Sequence, residues 1–128
     1  MAYIYAKVAD LEKTARVGTG ECVDLVKHYA RAGQTSTWRE GKEVKRNTMI
    51  VVGTAIATFV DGKYLSSKHG NHAAFYMGQD AGGMYIMDQW NGSNKPLVSK
   101  RYILFLGKNK DGTYRQSSDN ADAFSIIE

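Results

Sequence analysis

The chain contains a single cysteine among 128 residues, which excludes an intramolecular disulfide and leaves the fold to noncovalent packing. No low-complexity tract, internal repeat or Pro/Gly/Ser linker divides it. Its length suits one hydrophobic core, so residues 1–128 are read as a single domain. The first residues, Met1 to Ala6, lack a basic flank followed by an apolar run, so no secretory signal peptide is expected. The longest apolar stretch, Met49 to Val60, is short and interrupted by Gly53, Thr54 and Thr58, so no membrane insertion is expected. Any action outside the cell of origin would then need another export route.

An excess of positive charge is present. Lys and Arg number 17 against 13 Asp and Glu, giving a formal charge of +4. Such a balance is ordinary for a soluble surface and would also favour an anionic partner such as nucleic acid, a membrane or a wall polymer. The basic residues are denser at Arg39–Arg46 and Lys95–Arg101, but neither stretch has the interleaved aromatics of an RNA-binding sheet. Nucleic acid is therefore not an expected partner.

One helix is legible, from Cys22 to Ala32. Val23, Val26 and Ala30 repeat at helical spacing, and Leu25 and Tyr29 fill out the apolar stripe. Val17-Gly18-Thr19-Gly20-Glu21 before it suits a sharp turn, Asp24 sits in the first turn, and Gly33 is a stop signal. Gln34 to Thr48 is polar apart from Trp38 and reads as a loop. Strands are expected at Met49–Phe59, His72–Met77, Met84–Trp90, Tyr102–Leu106 and Phe124–Ile127, with turns at Asp61-Gly62 and Gln79–Gly83. One early helix followed by an antiparallel sheet makes an α+β fold. The tail after Leu106 reads as a loop leading to an edge element, with no chemistry in it.

The lone Cys22 has two readings. It can be a small buried hydrophobe, or a nucleophile. The first is the commoner taken alone; a place at a helix N-terminus suits the second, because unpaired N–H groups and the positive dipole end stabilise a thiolate. The same N–H groups can hold the oxyanion formed when a thiolate attacks an amide carbonyl. A thiolate also needs a base and proton donor. His28 lies along the same helix and points elsewhere, and His69 sits in the polar run Ser66–Gly70. His69 and His72 as a metal pair lack further ligands, so neither a metal nor a cofactor is expected. His72 opens a strand and is followed by Ala73 and Ala74, small residues that leave room for another element.

A third group should fix the imidazole tautomer. If the hairpin centres on Asp80, His72 lies opposite Asp88. Centring on Ala81 puts Trp90 opposite and keeps Asp88 on the same face, whereas a bulge would offer Gln89 instead.

The order cysteine, histidine, acid carries a family resemblance. Gly20-Glu21-Cys22-Val23-Asp24-Leu25-Val26 resembles the nucleophile segment of the papain-like NlpC-type and CHAP-type cell-wall peptidases, and Asn71-His72-Ala73-Ala74-Phe75 resembles their histidine strand. With Gly53–Phe59, Gly62-Lys63-Tyr64 and Met87-Asp88-Gln89-Trp90-Asn91, the pattern is closer still to the small amidase effectors of bacterial type VI secretion. The resemblance spans roughly Gly18 to Leu106. It implies a papain-like fold whose N-terminal helix carries the cysteine, with Cys22, His72 and Asp88 as catalytic residues. It also implies hydrolysis of a peptidoglycan stem-peptide amide, delivery by the type VI apparatus into a rival's periplasm, and a cognate immunity protein. Members cut either the D-Glu–diaminopimelate bond or the diaminopimelate–D-Ala cross-link, and the second is expected here. A monomer is expected. A binding module on the same fold and a transferase with the same triad are the competing readings. Asp24 departs from the small or apolar residues common two positions after the cysteine, and its charge would oppose thiolate formation.

Overall fold

A computed structural model describes residues 1–128. The apolar stripe that marks the helix becomes α1, Cys22–Ala30, with Leu25 and Val26 wholly buried. It ends two residues earlier than expected. Arg31 takes the left-handed conformation (φ 55°) and its N–H bonds Val26 O, so the stop precedes Gly33.

Six antiparallel strands follow: β1 (Glu40–Glu43), β2 (Ala55–Thr58), β3 (Ala73–Gln79), β4 (Gly83–Asp88), β5 (Ser99–Leu104) and β6 (Phe124–Ile127). They form one sheet in the order β1-β6-β2-β3-β4-β5. One helix on an antiparallel sheet makes the fold α+β, in keeping with a papain-like architecture.

Both faces of the sheet are covered. Ala55, Ala57, Ala73, Phe75 and Met87 face Leu25, Val26 and the 3-10 turn Val8–Leu11. Ile56, Ala74, Tyr76, Met84 and Ile86 face Val44, Ala121, Ala123 and Phe124. This double burial is why β2 and β3 read as continuous apolar runs rather than alternating ones. The alanines on the first face let α1 sit close to the sheet, which brings its N-terminus beside the start of β3.

Three expectations are corrected. The stretch Gln34–Thr48 is not all loop: it holds a 3-10 turn at Thr35–Thr37 and the edge strand β1. Glu40-Gly41-Lys42-Glu43 shows no apolar period because most of this edge strand faces solvent. The expected strand from Met49 to Phe59 shrinks to Ala55–Thr58, with Met49, Val51 and Val52 exposed. Gly53 turns the chain with φ +98° and packs where a Cβ would strike the Tyr5 carbonyl, so pairing starts beyond it. Finally, the tail does not end in an edge element, because β6 lies between β1 and β2 with Phe124 and Ile127 fully buried.

Candidate active site

The segment that delivers Cys22 is built from left-handed turns and one side-chain clamp. Gly18 and Gly20 have φ of +60° and +89°, and a Cβ on either would collide with Asp24 or Asn91. Asp24 accepts from the Thr19 N–H at 2.8 Å and its hydroxyl at 2.6 Å, so the departing acid holds the turn together. Gln89 takes the segment from the other side. Its Oε1 accepts from Val17 N–H, and its Nε2 donates to the Val17 and Glu21 carbonyls.

His72 stands just before β3. Its N–H donates to Thr58 Oγ1 and its carbonyl accepts from Thr58 N–H, which pins the backbone to the end of β2. Its ring packs edge-on near Trp90 and Phe124, each with centroids 6.3 Å away. Nε2 lies 2.8 Å from Asp88 Oδ2, with both side chains buried. With Nε2 so engaged, Nδ1 is the ring nitrogen left for the Cys22 thiol, which borders the same cleft as the imidazole.

The hairpin explains why Asp88 and not Gln89 meets the ring. Phe75 pairs with Met87 and Tyr76 with Ile86, the register centred on Ala81, and the bulge lies between Tyr76 and Gln79. The irregularity therefore falls at the turn end, leaving His72 and Asp88 on one face. Strand pleating sends the adjacent Gln89 the other way, to the segment before Cys22. One strand end thus anchors both halves of the site.

Asp88 has more company than the sequence suggested. Lys95 Nζ stands 2.9 Å from Oδ1, and Arg101 Nε donates to Oδ2 at 2.8 Å. Arg101 also donates to Asp119, in the tail thought to carry no chemistry. Both cations lie over the Trp90 ring, Lys95 at 4.7 Å and Arg101 at 5.0 Å. Burial pushes Asp88 up, but the His72 hydrogen bond and the charges of Arg101 and Lys95 outweigh it and hold the carboxyl at about 2. Burial likewise opposes a charged His72, yet Asp88 and Cys22 raise the ring to about 9. For Cys22 burial again works against ionisation, and the contacts from His72, Tyr64 and Ala73 prevail, lowering the thiol below its ordinary range.

A polar cleft of about 580 Å³ opens onto Cys22 and His72, walled in part by Asn71, Trp90, Arg101 and Asp119. His69 lines it without joining the Cys22–His72–Asp88 cluster, and His28 is exposed on the helix, stacked edge-on with Tyr29. Sequence reasoning missed Lys95, Arg101 and Asp119. The basic density at Lys95–Arg101 was visible, but nothing local tied it to Asp88. Tyr64 and Asn71 stood inside quoted motifs without a role.

A cysteine at the start of a helix that packs on an antiparallel sheet, with a histidine at the neighbouring strand, defines the papain-like class of cysteine hydrolase folds. Within that class, the chain belongs to the family of domesticated amidase effector 2, whose sequence profile matches residues 6–127, and it is an amidase. It is 50% identical over 133 residues to the type VI secretion amidase effector 2 protein of Salmonella typhi, with 100% of each chain covered. It is 37% identical over 114 residues to domesticated amidase effector 2 of Ixodes scapularis, covering 84% of this chain and 70% of that one. A solved structure of a type 6 secretion amidase effector 2 superposes with a TM-score of 0.92 at 50% identity, covering 98% of this chain and 94% of the other.

Proposed function

We propose that the chain, acting as a single catalytic domain, hydrolyses an amide bond of peptidoglycan stem peptides by a Cys-His thiolate mechanism. The observation that carries this reading is the 2.8 Å bond between His72 Nε2 and Asp88, made on the cleft that Cys22 also lines from the N-terminus of α1. The Cys22 thiolate attacks the scissile carbonyl carbon, and the C=O electron pair moves onto oxygen, where the Cys22 backbone N–H receives it. The pair returns as the C–N bond breaks, and His72 gives its proton to the departing amine. His72 then takes a proton from water, whose oxygen attacks the thioester and expels the thiolate. Asp88 holds the ring throughout and keeps its second nitrogen on the reaction side.

The diaminopimelate–D-Ala cross-link is favoured over the D-Glu–diaminopimelate bond, on overall resemblance. Relatives named as type VI secretion effectors support delivery through that apparatus into the periplasm of target bacteria, and a cognate immunity protein that plugs the cleft. The chemistry is assigned to a monomer with no cofactor, metal, nucleic acid or membrane insertion. No helix is long and apolar enough to cross a membrane.

Purified protein incubated with Gram-negative sacculi, with Cys22→Ala alongside and the released fragments weighed, tests this reading. Cleavage by the wild type alone is expected, and the fragment masses name the bond. Cleavage retained by Cys22→Ala would remove the thiolate from the mechanism. Absence of cleavage by both folded proteins would favour a binding module.

A further inference from the structure

The mechanism above uses the thiol, the imidazole and one backbone N–H, yet another polar atom touches the sulfur. Tyr64 comes from the segment between β2 and β3, 42 residues after the cysteine, and its hydroxyl lies 3.6 Å from Cys22 Sγ. Nothing in the fold of that segment requires a phenol there. The ring is already buried by packing edge-on against Trp38, with centroids 5.0 Å apart. A phenylalanine would satisfy this contact.

The hydroxyl is oriented as well as close. Asn71 Nδ2 donates to the phenol oxygen at 3.2 Å, and Asn71 Oδ1 in turn accepts from the Ser67 hydroxyl at 2.7 Å. An oxygen that accepts from Asn71 directs its own hydrogen elsewhere, and the sulfur is the partner in reach. Burial and the neighbouring Cys22 charge push the phenol well above its ordinary range, so it keeps that hydrogen while the thiolate forms.

Attack transfers the negative charge from sulfur to the carbonyl oxygen, an atom two bonds from Sγ. A donor already in contact with Sγ needs little movement to follow the charge. We infer that the Tyr64 hydroxyl is a second oxyanion donor, with Asn71 its positioning residue. This inference rests on the thiolate reading of Cys22. It gives the site two donors on different elements, the start of α1 and the β2–β3 connection, which together set where the attacked carbonyl must lie.

The test exploits a difference between two reactions of one sulfur. Amide hydrolysis passes through an oxyanion, whereas alkylation by iodoacetamide does not, and both need the thiolate. The ratio of the two rates, measured at one pH, cancels any change in thiol ionisation. For Tyr64→Phe the hydrolysis-to-alkylation ratio is expected to fall about 100-fold, the usual loss for one oxyanion donor. Asn71→Ala, which keeps the phenol but frees its orientation, is expected to lower the ratio about 10-fold. It serves as the deciding variant if Tyr64→Phe does not fold. A folded Tyr64→Phe with an unchanged ratio would overturn the inference, because a merely structural hydroxyl moves both rates together. Failure of the thiolate reading itself would show separately, as hydrolysis surviving in Cys22→Ala.

Discussion

For Cys22 and His72 the shifts run together, toward an ion pair of thiolate and imidazolium. The thiol is lowered, and the imidazole is raised from 6.5 to about 9. If that ion pair is the reactive form, kcat/KM should decline as pH rises through about 9, where His72 loses the proton owed to the leaving amine. A plateau running past pH 10, read from muropeptide release, would refute His72 as the proton donor.

The same shifts act on stability. His72 has a folded pKa above its unfolded one, so its contribution is complete below 6.5 and is lost as pH rises through about 9. Asp88 runs the other way, present above 3.8 and lost as pH falls through about 2. The lowered Cys22 thiol contributes in the opposite sense, gaining as pH rises, so the ring's loss shows only without it. In Cys22→Ala the Tm should fall between about pH 6 and about pH 9.5, and adding His72→Gln should remove the fall, by calorimetry. Lys95 is a buried partner of a buried carboxylate. Lys95→Met leaves Asp88 Oδ1 facing an apolar side chain and should cost roughly 3 kcal/mol in urea unfolding. A neutral outcome would mean that Arg101 and His72 suffice.

At the level of elements, α1 holds Cys22 against the sheet, and β4 ends on Asp88 with Gln89 directly after it. Leu25 is fully buried between helix and strands, so Leu25→Ala should destabilise by about 2–5 kcal/mol, measured by denaturant titration. Gln89→Leu keeps the volume but cuts the three bonds to the segment before Cys22. The expected result is a drop in kcat of about 10- to 100-fold with Cys22 still alkylated, because misplacement and not loss of the thiol is the defect. Much of this was legible in the sequence. The helical period of Val23, Val26 and Ala30 and the Gly-rich approach located Cys22, and the hairpin between Gln79 and Gly83 placed Asp88 near His72. The register alone stayed open, since two turn centres and a bulge fit the same residues. β1 was invisible because a solvent-facing edge strand of Glu, Gly and Lys carries no apolar period. Lys95, Arg101 and Asp119 escaped for another reason. Each is polar, Lys95 reaches Asp88 from the β4–β5 connection, Arg101 through the β4–β5 pairing, and Asp119 meets Arg101 only through the return of the tail.

The whole molecule is a cation of +4, and peptidoglycan, its substrate, is an anionic polymer. Attraction of this kind is long-ranged and screened by salt, so it should govern capture and not bond breaking. Cys22→Ala bound to sacculi should be released as salt rises toward about 1 M, while the kcat of the wild type on small muropeptides changes little. Salt-insensitive sacculus binding would assign recognition to the cleft alone.

β6 is the last strand in the chain, yet it lies inside the sheet and its Phe124 walls one side of the His72 ring. During synthesis, then, Cys22, His72 and Asp88 all leave the ribosome before the strand that completes their surroundings. A nascent chain has all three residues and no finished cluster. Its pairing with β1 and β2 also bridges long stretches of sequence, which raises the chain-entropy cost of closing the sheet. For a producing cell, the interval between translation and a competent hydrolase is built into the order of the strands.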